Sequence, residues 1–205
     1  TANTGYTCGG RWYGQTYGDG LPYRTDWLPT GHGYVDFSHA LTYSCNSYYW
    51  QLGVSLFDFN PQILSEYAYK MGLGVPTGQD VLPEETGQIP NEELIFRLEA
   101  RRWSISDMLN LVIGQGPIQV TPLQMVRMVA AVANGGKLFK PLFVSKVQLV
   151  GEEPVYVAEP TVLSQLDFAP EVFELIRKGM CDVTLDPNGT ARYIFEEWYK
   201  FQGTD

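Results

Sequence analysis

Positively charged residues are scarce in this chain of 205 residues. It carries 14 Lys and Arg against 23 Asp and Glu, which gives a formal net charge of -9 at pH 7. Proteins that hold nucleic-acid phosphates need a basic face, and this composition supplies none. We therefore predict no nucleic-acid partner, and a polybasic contact with a membrane surface is disfavoured for the same reason.

Long apolar runs are also lacking. No stretch approaches the ~20 apolar residues that cross a bilayer as a helix, and residues 1–4 do not have the pattern of a signal peptide. Hydrophobic residues nevertheless make up 44% of the chain and charged residues 18%, as expected of a folded globular protein. At this length one large or two small domains are expected, and we expect the polypeptide itself to be soluble.

Cysteine and histidine are too few and too scattered for a recognisable metal motif. Cys8, Cys45 and Cys181 are far apart, and Cys8 has no Cys or His at the short spacing of a zinc motif. His32 and His39 are seven residues apart and share a helical face only if both are helical. We predict no metal and no cofactor, and whether two cysteines pair stays open.

Helical periodicity fills the middle of the chain, after a glycine- and tyrosine-rich lead-in over residues 1–34 that we expect to be loop-rich. Apolar residues recur at helical spacing, and polar or proline residues stand where helices begin. Residues 73–92 contain several glycine and proline breakers and indicate a structured loop. The predicted helices are 36–43 capped by Asp36, 47–58, 61–71, 106–112 capped by Ser106, and 122–133 capped by Thr121.

The predicted helix at 122–133 has a distinctive composition. Thr121 and Gln124 form a capping box, and almost every residue from Leu123 to Ala133 is apolar. A helix that is apolar on all sides is typical of a protein core. We therefore expect this helix to be buried all round, with Val126, Val129 and Ala130 inside.

The pattern changes after Gly136. Residues 142–149 alternate like a strand with a bulge at Ser145, and residues 155–158 indicate its partner. A helix follows over 170–184, with Val172, Leu175, Ile176, Met180 and Val183 facing inward. This order predicts an α+β fold made mostly of a helical lobe over 35–135 and part of an α+β lobe over 136–205.

A family resemblance runs through the chain in order. The segment His32-Gly33-Tyr34-Val35-Asp36, followed by Ser44-Cys45-Asn46, resembles the S-x-N active-site motif of penicillin-binding transpeptidases. The residues of these motifs most resemble those of class B enzymes of the elongation type. The resemblance implies the serine β-lactamase and penicillin-binding transpeptidase fold, with residues 1–205 as a partial transpeptidase domain. Further matching segments are Gly72-Leu73-Gly74, Thr77-Gly78, Glu84, Gly87, Pro90, residues 113–141, Gly179-Met180 and Gly189-Thr190-Ala191.

The resemblance also implies roles for the motif. Ser44 would be a catalytic residue that hydrogen-bonds near the nucleophile and relays a proton to the leaving amine. Asn46 would be both catalytic and substrate-binding, because its amide would bind the carbonyl of the acyl-donor peptide or of a β-lactam. The implied ligands are the peptidoglycan stem peptide and β-lactams. Cys45, between these two residues, is expected to point back between helices as a small apolar side chain.

Two of the three family motifs do not occur in the sequence. None of its serines has Lys three residues later, and no Lys begins K-T-G; the nearest approach is Lys200-Phe201-Gln202-Gly203-Thr204. We therefore expect the chain to be an internal piece that is inactive alone. The resemblance implies a parent that is anchored in the membrane, works on its extracytoplasmic face, and is partnered with a glycosyltransferase of the elongation machinery.

Other functions remain as alternatives. The aromatic, glycine-rich lead-in could bind sugars, and the whole could be a non-catalytic carbohydrate- or peptide-binding domain or a scaffold. His32 and His39 could form a hydrolase site with Ser44, but a loop histidine and a helix-surface histidine are favoured. Gly114-Gln115-Gly116 resembles a phosphate loop but lacks the following lysine.

Overall fold

A computed structural model describes residues 5–202 of the chain. The fold is α+β, with eight α-helices among the described residues and one short 3-10 helix, Gln15–Tyr17. None of the helices described is long and apolar enough to cross a membrane. The helices are α1 Phe37–Thr42, α2 Asn46–Phe59, α3 Ile63–Lys70, α4 Glu92–Glu99, α5 Ile105–Leu111, α6 Pro122–Ala133, α7 Pro170–Leu185 and α8 Arg192–Gln202.

The strands are short and form antiparallel pairs. Two of these pairs lie within the lead-in and its junction with α1, so residues 5–35 have more regular structure than the loop-rich segment expected from the sequence. The pairs are β1 Tyr6–Cys8 with β4 Gly33–Val35, β2 Arg11–Trp12 with β3 Arg24–Thr25, β5 Lys137–Phe139 with β8 Val162–Gln165, and β6 Lys146–Val147 with β7 Tyr156–Val157.

The chain divides into two compact units that are interleaved in sequence. The first contains the residues up to Leu64, Pro90–Gly116 and the residues from Pro170 onward, and the second contains Ser65–Ile89 and Pro117–Ala169. The division into a lead-in over 1–34, a helical lobe over 35–135 and a second lobe over 136–205 stays a prediction.

The core of the first unit joins the strand pair β1–β4 to helices α1 and α2. Its centre is the buried cluster of Cys8, Val35, Ala40, Cys45 and Tyr48. These side chains come from four separate elements, so burying them fixes the turn between α1 and α2 against the sheet. The turn carries the S-x-N motif.

Helix α7 packs closely on α1. A Cβ atom at Gly179 would lie only 2.8 Å from Leu41 Cδ2, so a larger residue there would have to push the Leu41 side chain aside. After α7, the Thr190 backbone N–H donates to the Thr42 carbonyl at 3.3 Å. Two segments that carry the family resemblance therefore contact the helix that leads into the motif.

The helix bounds before residue 72 are confirmed closely. Asp36 caps α1 by accepting from the His39 backbone N–H at 2.9 Å. α2 covers the predicted span, and Asn60 Oδ1 accepts from the Gln62 N–H ahead of α3. Gly72 follows α3 in a left-handed conformation, as its helix-stop role predicts.

The cap predicted for α5 is wrong by two residues. Ser104, not Ser106, caps this helix, and Asp107 completes a capping box with it. Ser106 instead donates its hydroxyl to Asp19 Oδ1 at 2.5 Å. The sequence did not predict α4, which begins at the last residue of the predicted loop 73–92, or α8.

The expectation that α6 is buried all round is wrong. Its bounds and its capping box of Thr121 and Gln124 are confirmed. Val126 is 65% exposed and Val129 is 40% exposed, and Ala130 is exposed as well. The buried residues are Gln124, Arg127, Ala131 and Val132, so the buried face contains both of the helix's long polar side chains.

Backbone carbonyls of the loop after α3 explain this orientation. The Gln124 amide donates to the Val75 and Thr86 carbonyls at 2.7 and 2.9 Å. The Arg127 guanidinium donates to the Gly72 and Thr77 carbonyls at 2.7 Å each. A loop without regular structure leaves buried carbonyls that need donors, and α6 supplies them.

The hairpin and the helix predicted after residue 142 are both present, but the strands are shorter than predicted and the helix buries other residues. The hairpin turns at Gly151, yet its strands are only β6 and β7, so residues 142–145 are not strand. α7 has nearly the predicted bounds. Val172 and Met180 are exposed rather than inward, and the buried residues are Phe173 and Gly179.

Candidate active site

The S-x-N motif occupies the tight turn between α1 and α2. Ser44 has a backbone φ of 52°, in the left-handed region that non-glycine residues rarely adopt. Ser44 is exposed, Asn46 is half-buried and Cys45 between them is fully buried. The turn therefore leaves Ser44 and Asn46 accessible to solvent and sends Cys45 into the core, as predicted for Cys45.

Hydrogen bonds from backbone N–H groups hold both sides of this turn. The Cys45 N–H donates to the Ala40 carbonyl at 2.9 Å and closes the end of α1. At the start of α2, the Ser47 N–H donates to the Asp26 carboxylate at 3.0 Å. A carboxylate at this position also complements the positive end of the helix dipole. Both motif side chains are thus placed by rigid elements rather than by a loose loop.

Directly behind the motif lies a cluster of four metal-ligand side chains. One candidate ligand atom from each of Cys8, Asp26, His32 and Cys45 lies within 4.8 Å of all the others. Cys8 Sγ is 3.6 Å from His32 Nδ1 and 3.8 Å from Asp26 Oδ2, and Cys45 Sγ is 3.7 Å from Asp26 Oδ2. All four side chains are buried, and His32 Nε2 has no hydrogen-bond partner.

This donor set fits zinc. Two thiols, an imidazole and a carboxylate are ligands that zinc takes in tetrahedral sites, and bonds of about 2.0–2.3 Å place neighbouring ligand atoms roughly 3.3–3.8 Å apart. Burial raises the pKa of the Cys45 thiol, and the nearby Cys8 and Asp26 raise it further. A bound cation would offset that effect, because metal binding favours the thiolate.

Residue spacing in the sequence did not reveal this cluster. Strand pairing places Cys8 opposite Gly33 and so brings it beside His32, although 24 residues separate them. The buried Cys45 and Asp26 then complete the group. A search for closely spaced Cys and His cannot find ligands that a sheet and a helix turn assemble from four distant positions.

The two histidines have different surroundings. His39 lies on the surface of α1, where its Nδ1 is 2.8 Å from Asp36 Oδ1, as the favoured interpretation predicted. His32 lies in the loop just before β4, as the same interpretation predicted, but its side chain is buried in the cluster. The structure therefore gives the hydrolase alternative for Ser44 no supporting contact from His39.

The family segment at 77–87 folds around one carboxylate in the second unit. Glu84 accepts hydrogen bonds from both the backbone N–H and the hydroxyl of Thr77. Although desolvation acts to raise the pKa of Glu84, these bonds hold it below its ordinary value. Gly87 is needed beside them, because a Cβ there would lie 2.2 Å from the Gln119 carbonyl oxygen.

The fold is the one shared by penicillin-binding transpeptidase domains. The family described as "Penicillin binding protein transpeptidase domain" matches residues 1–203. The chain belongs to this family.

Individual relatives agree with this assignment. The Escherichia coli K12 peptidoglycan D,D-transpeptidase MrdA is 31% identical over 197 residues, which are 95% of this chain and 30% of that protein. The Haemophilus influenzae MrdA is 30% identical over 174 residues, 84% of this chain and 26% of that protein. A solved complex of Helicobacter pylori PBP2 with MreC is similar at 25% identity with a TM-score of 0.77, covering 94% of this chain and 33% of that one. The chain therefore spans about a third or less of the length of these relatives.

Proposed function

We propose that this chain is the S-x-N-bearing part of a peptidoglycan D,D-transpeptidase of the elongation type. Such an enzyme cross-links cell-wall stem peptides through a serine acyl-enzyme and is acylated by β-lactams. The observation that carries the proposal is the left-handed turn at Ser44, which exposes Ser44 and leaves Asn46 accessible between two packed helices. The names of the MrdA relatives support the reaction.

The two side chains suit the two tasks that the reaction sets. A hydroxyl can accept and donate a proton at the same time, so Ser44 can pass a proton to the leaving amine as the acyl–nitrogen bond breaks. The Asn46 amide can donate to the carbonyl of the acyl donor and orient it for attack. The nucleophilic serine with its lysine, and the K-T-G strand, are family motifs that this sequence does not contain.

Labelling with a fluorescent penicillin tests the proposal. We expect no covalent labelling of the 205-residue chain, and stoichiometric labelling of a longer polypeptide that joins it to an upstream S-x-x-K segment and a downstream K-T-G segment. Asn46→Ala should slow that labelling by about 10²-fold, the usual cost of one positioned donor. Asn188→Ala, at an exposed position after α7, is the matched control.

An unlabelled longer polypeptide would contradict the enzyme assignment. If it nevertheless retained peptidoglycan fragments, the non-catalytic carbohydrate- or peptide-binding alternative would replace it. Labelling of any serine in the 205-residue chain would contradict the proposal that the nucleophilic serine belongs to a separate S-x-x-K segment.

The location and partners of the parent protein follow from the same proposal. We place it in the membrane with its transpeptidase domain on the extracytoplasmic face, where its stem-peptide substrate is found. A glycosyltransferase of the elongation machinery would supply the glycan strands to be cross-linked. The related H. pylori PBP2 has been solved in a complex with MreC, which supports assembly with proteins of that machinery.

We also propose that Cys8, Asp26, His32 and Cys45 hold a structural zinc ion. The supporting observation is their mutual approach within 4.8 Å in a buried position. Cys45 is itself the middle residue of S-x-N, and Asp26 accepts from the Ser47 N–H in the first turn of α2, so an ion there would hold the turn on its buried side. Its role would be structural and not catalytic, because four protein ligands would fill all four coordination positions of the zinc ion.

Metal content and thermal stability test the zinc proposal. We expect one tightly held zinc per chain, cobalt substitution with a thiolate charge-transfer band, and a gain in stability of about 2.7 kcal/mol at free zinc 100 times its Kd. Cys45→Ser should remove all three effects. Cys181→Ser should change none of them, because Cys181 is exposed and lies apart from the cluster. Equal metal retention by the two variants would contradict the site.

A further inference from the structure

The left-handed conformation of Ser44 needs a physical cause. In this conformation a side chain crowds its own backbone, so it persists only where neighbours hold it. Among the described residues, the only other non-glycine with positive φ is Ala100, the C-cap of α4. Ser44 directly follows Tyr43, the C-cap of α1, and the Ser44 and Cys45 N–H groups donate to the Leu41 and Ala40 carbonyls at 3.3 and 2.9 Å, which is the Schellman pattern that ends many helices with a left-handed residue.

Trp27 makes two further hydrogen bonds to this turn. Its indole Nε1–H donates to the Tyr43 carbonyl at 3.0 Å and to the Ser44 carbonyl at 3.1 Å. One donor thereby ties together two consecutive carbonyls at the point where the chain reverses. The Trp27 side chain remains 53% exposed, so core packing does not explain its position.

The segment that carries Trp27 is itself firmly placed. Its neighbour Asp26 is buried and accepts from the Leu28 and Ser47 backbone N–H groups at 3.2 and 3.0 Å. The Trp27 ring also packs against His32, with the ring centroids 5.3 Å apart. Asp26 therefore holds the backbone after the motif, while Trp27 holds the backbone before and within it.

We infer that Trp27 is a positioning residue for the transpeptidase reaction, acting through its indole N–H on the backbone of Ser44. Removing that N–H leaves the Tyr43 and Ser44 carbonyls to water, so that only the capping bonds at the end of α1 still hold the Ser44 backbone. The hydroxyl of Ser44 then loses its fixed relation to Asn46. This inference rests on the proposed function, because the positioning matters only if Ser44 takes part in acyl transfer.

Trp27→Phe tests the inference, since it keeps an aromatic ring and removes the donor. In the longer polypeptide with S-x-x-K and K-T-G, rapid-mixing measurements with a fluorescent penicillin separate the noncovalent dissociation constant from the acylation rate constant. We expect the rate constant to fall about threefold to tenfold, the effect of one lost hydrogen bond, with the dissociation constant unchanged. A purely structural role would lower the melting temperature without this split.

Trp103→Phe is the matched control. The Trp103 indole N–H is buried and has no hydrogen-bond partner, so its removal should leave both constants unchanged. A Trp27→Phe variant with the wild-type rate constant would overturn the inference. If the wild-type polypeptide is not acylated at all, the proposed function fails, and the inference about acyl transfer fails with it.

NMR of the 205-residue chain tests separately whether the Trp27 indole N–H holds the Ser44 backbone. NMR should show the Trp27 indole proton protected from exchange, and Trp27→Phe should shift the Ser44 and Asn46 amide resonances and change the Ser44 backbone coupling constant. Rapid exchange of that indole proton in the wild-type chain, or an unchanged Ser44 in the variant, would overturn the inference even if the variant folds poorly.

Discussion

The turn at Ser44 and the loop held by α6 both depend on buried polar side chains, but the two regions use them differently. Behind Ser44, the polar groups are potential metal ligands and a carboxylate that binds backbone N–H groups. Beneath α6, a cation and an amide bind backbone carbonyls. The first region leaves Ser44 and Asn46 accessible to solvent, whereas the second holds the loop after α3. In both regions, buried polar side chains hold a segment of backbone in place.

The largest expected effect on the free energy of unfolding comes from a charge placed on the buried face of α6, compared with the same charge on its exposed face. Ala131 is fully buried and its neighbour Ala130 is exposed. Ala131→Glu should lower the free energy of unfolding by about 4 kcal/mol or prevent folding, because it buries an unpaired charge. Ala130→Glu should change it by less than about 0.5 kcal/mol. Chemical denaturation of both variants measures the difference, and the reverse order would mean that the helix faces the other way.

Arg127 is expected to have the next largest effect. Arg127→Met keeps the apolar stem but leaves the Gly72 and Thr77 carbonyls without their donor, so the free energy of unfolding should fall by about 3 kcal/mol. Arg97→Met on the exposed face of α4 is the control and should have almost no effect. Equal stability of the two variants would show that the loop does not need the guanidinium.

Acid should weaken both regions to a smaller extent. Desolvation acts to raise the pKa values of Asp36 and Glu84, but hydrogen bonds from His39 and from Thr77 outweigh it and hold both pKa values below the ordinary 3.8 and 4.5. A lowered folded-state pKa contributes stability that is complete above the unfolded-state value and is lost as pH falls through the folded-state value.

Melting temperatures between about pH 6 and about pH 2.5 measure this loss. Asp36→Asn keeps a good helix cap and should flatten the acid slope slightly, as should Glu84→Gln in the other region. A steeper slope in either variant would contradict the direction of the pKa shifts.

Local signals predicted much of the fold before residue 72 because caps and stops act within a few residues. Asp36, Asn60 and Gly72 each bind or bend the backbone next to them, so the bounds of α1, α2 and α3 could be read from the sequence. Thr121 and Gln124 fixed the start of α6 in the same way. The α5 cap was misplaced because Ser104 and Ser106 are both plausible caps, and only the Asp107 side chain decides between them.

The buried face of α6 could not be predicted because its partners are carbonyls of a distant loop. The sequence shows that Val126 and Val129 are apolar, but it does not show that Gln124 and Arg127 each donate to two carbonyls of that loop. The motif residues Ser44 and Asn46 were identified through family resemblance. The cluster behind them was missed, since strand pairing and not sequence spacing brings Cys8 to His32.

The central claim is that the turn between α1 and α2 presents Ser44 and Asn46 to an acyl group. A crystal structure of the longer, penicillin-acylated polypeptide tests it most directly. We expect the Asn46 amide within about 3 Å of a carbonyl oxygen of the bound drug, and Ser44 Oγ within hydrogen-bond reach of the acylated serine, with Ser44 still left-handed. An acyl group more than about 5 Å from both side chains would contradict the account.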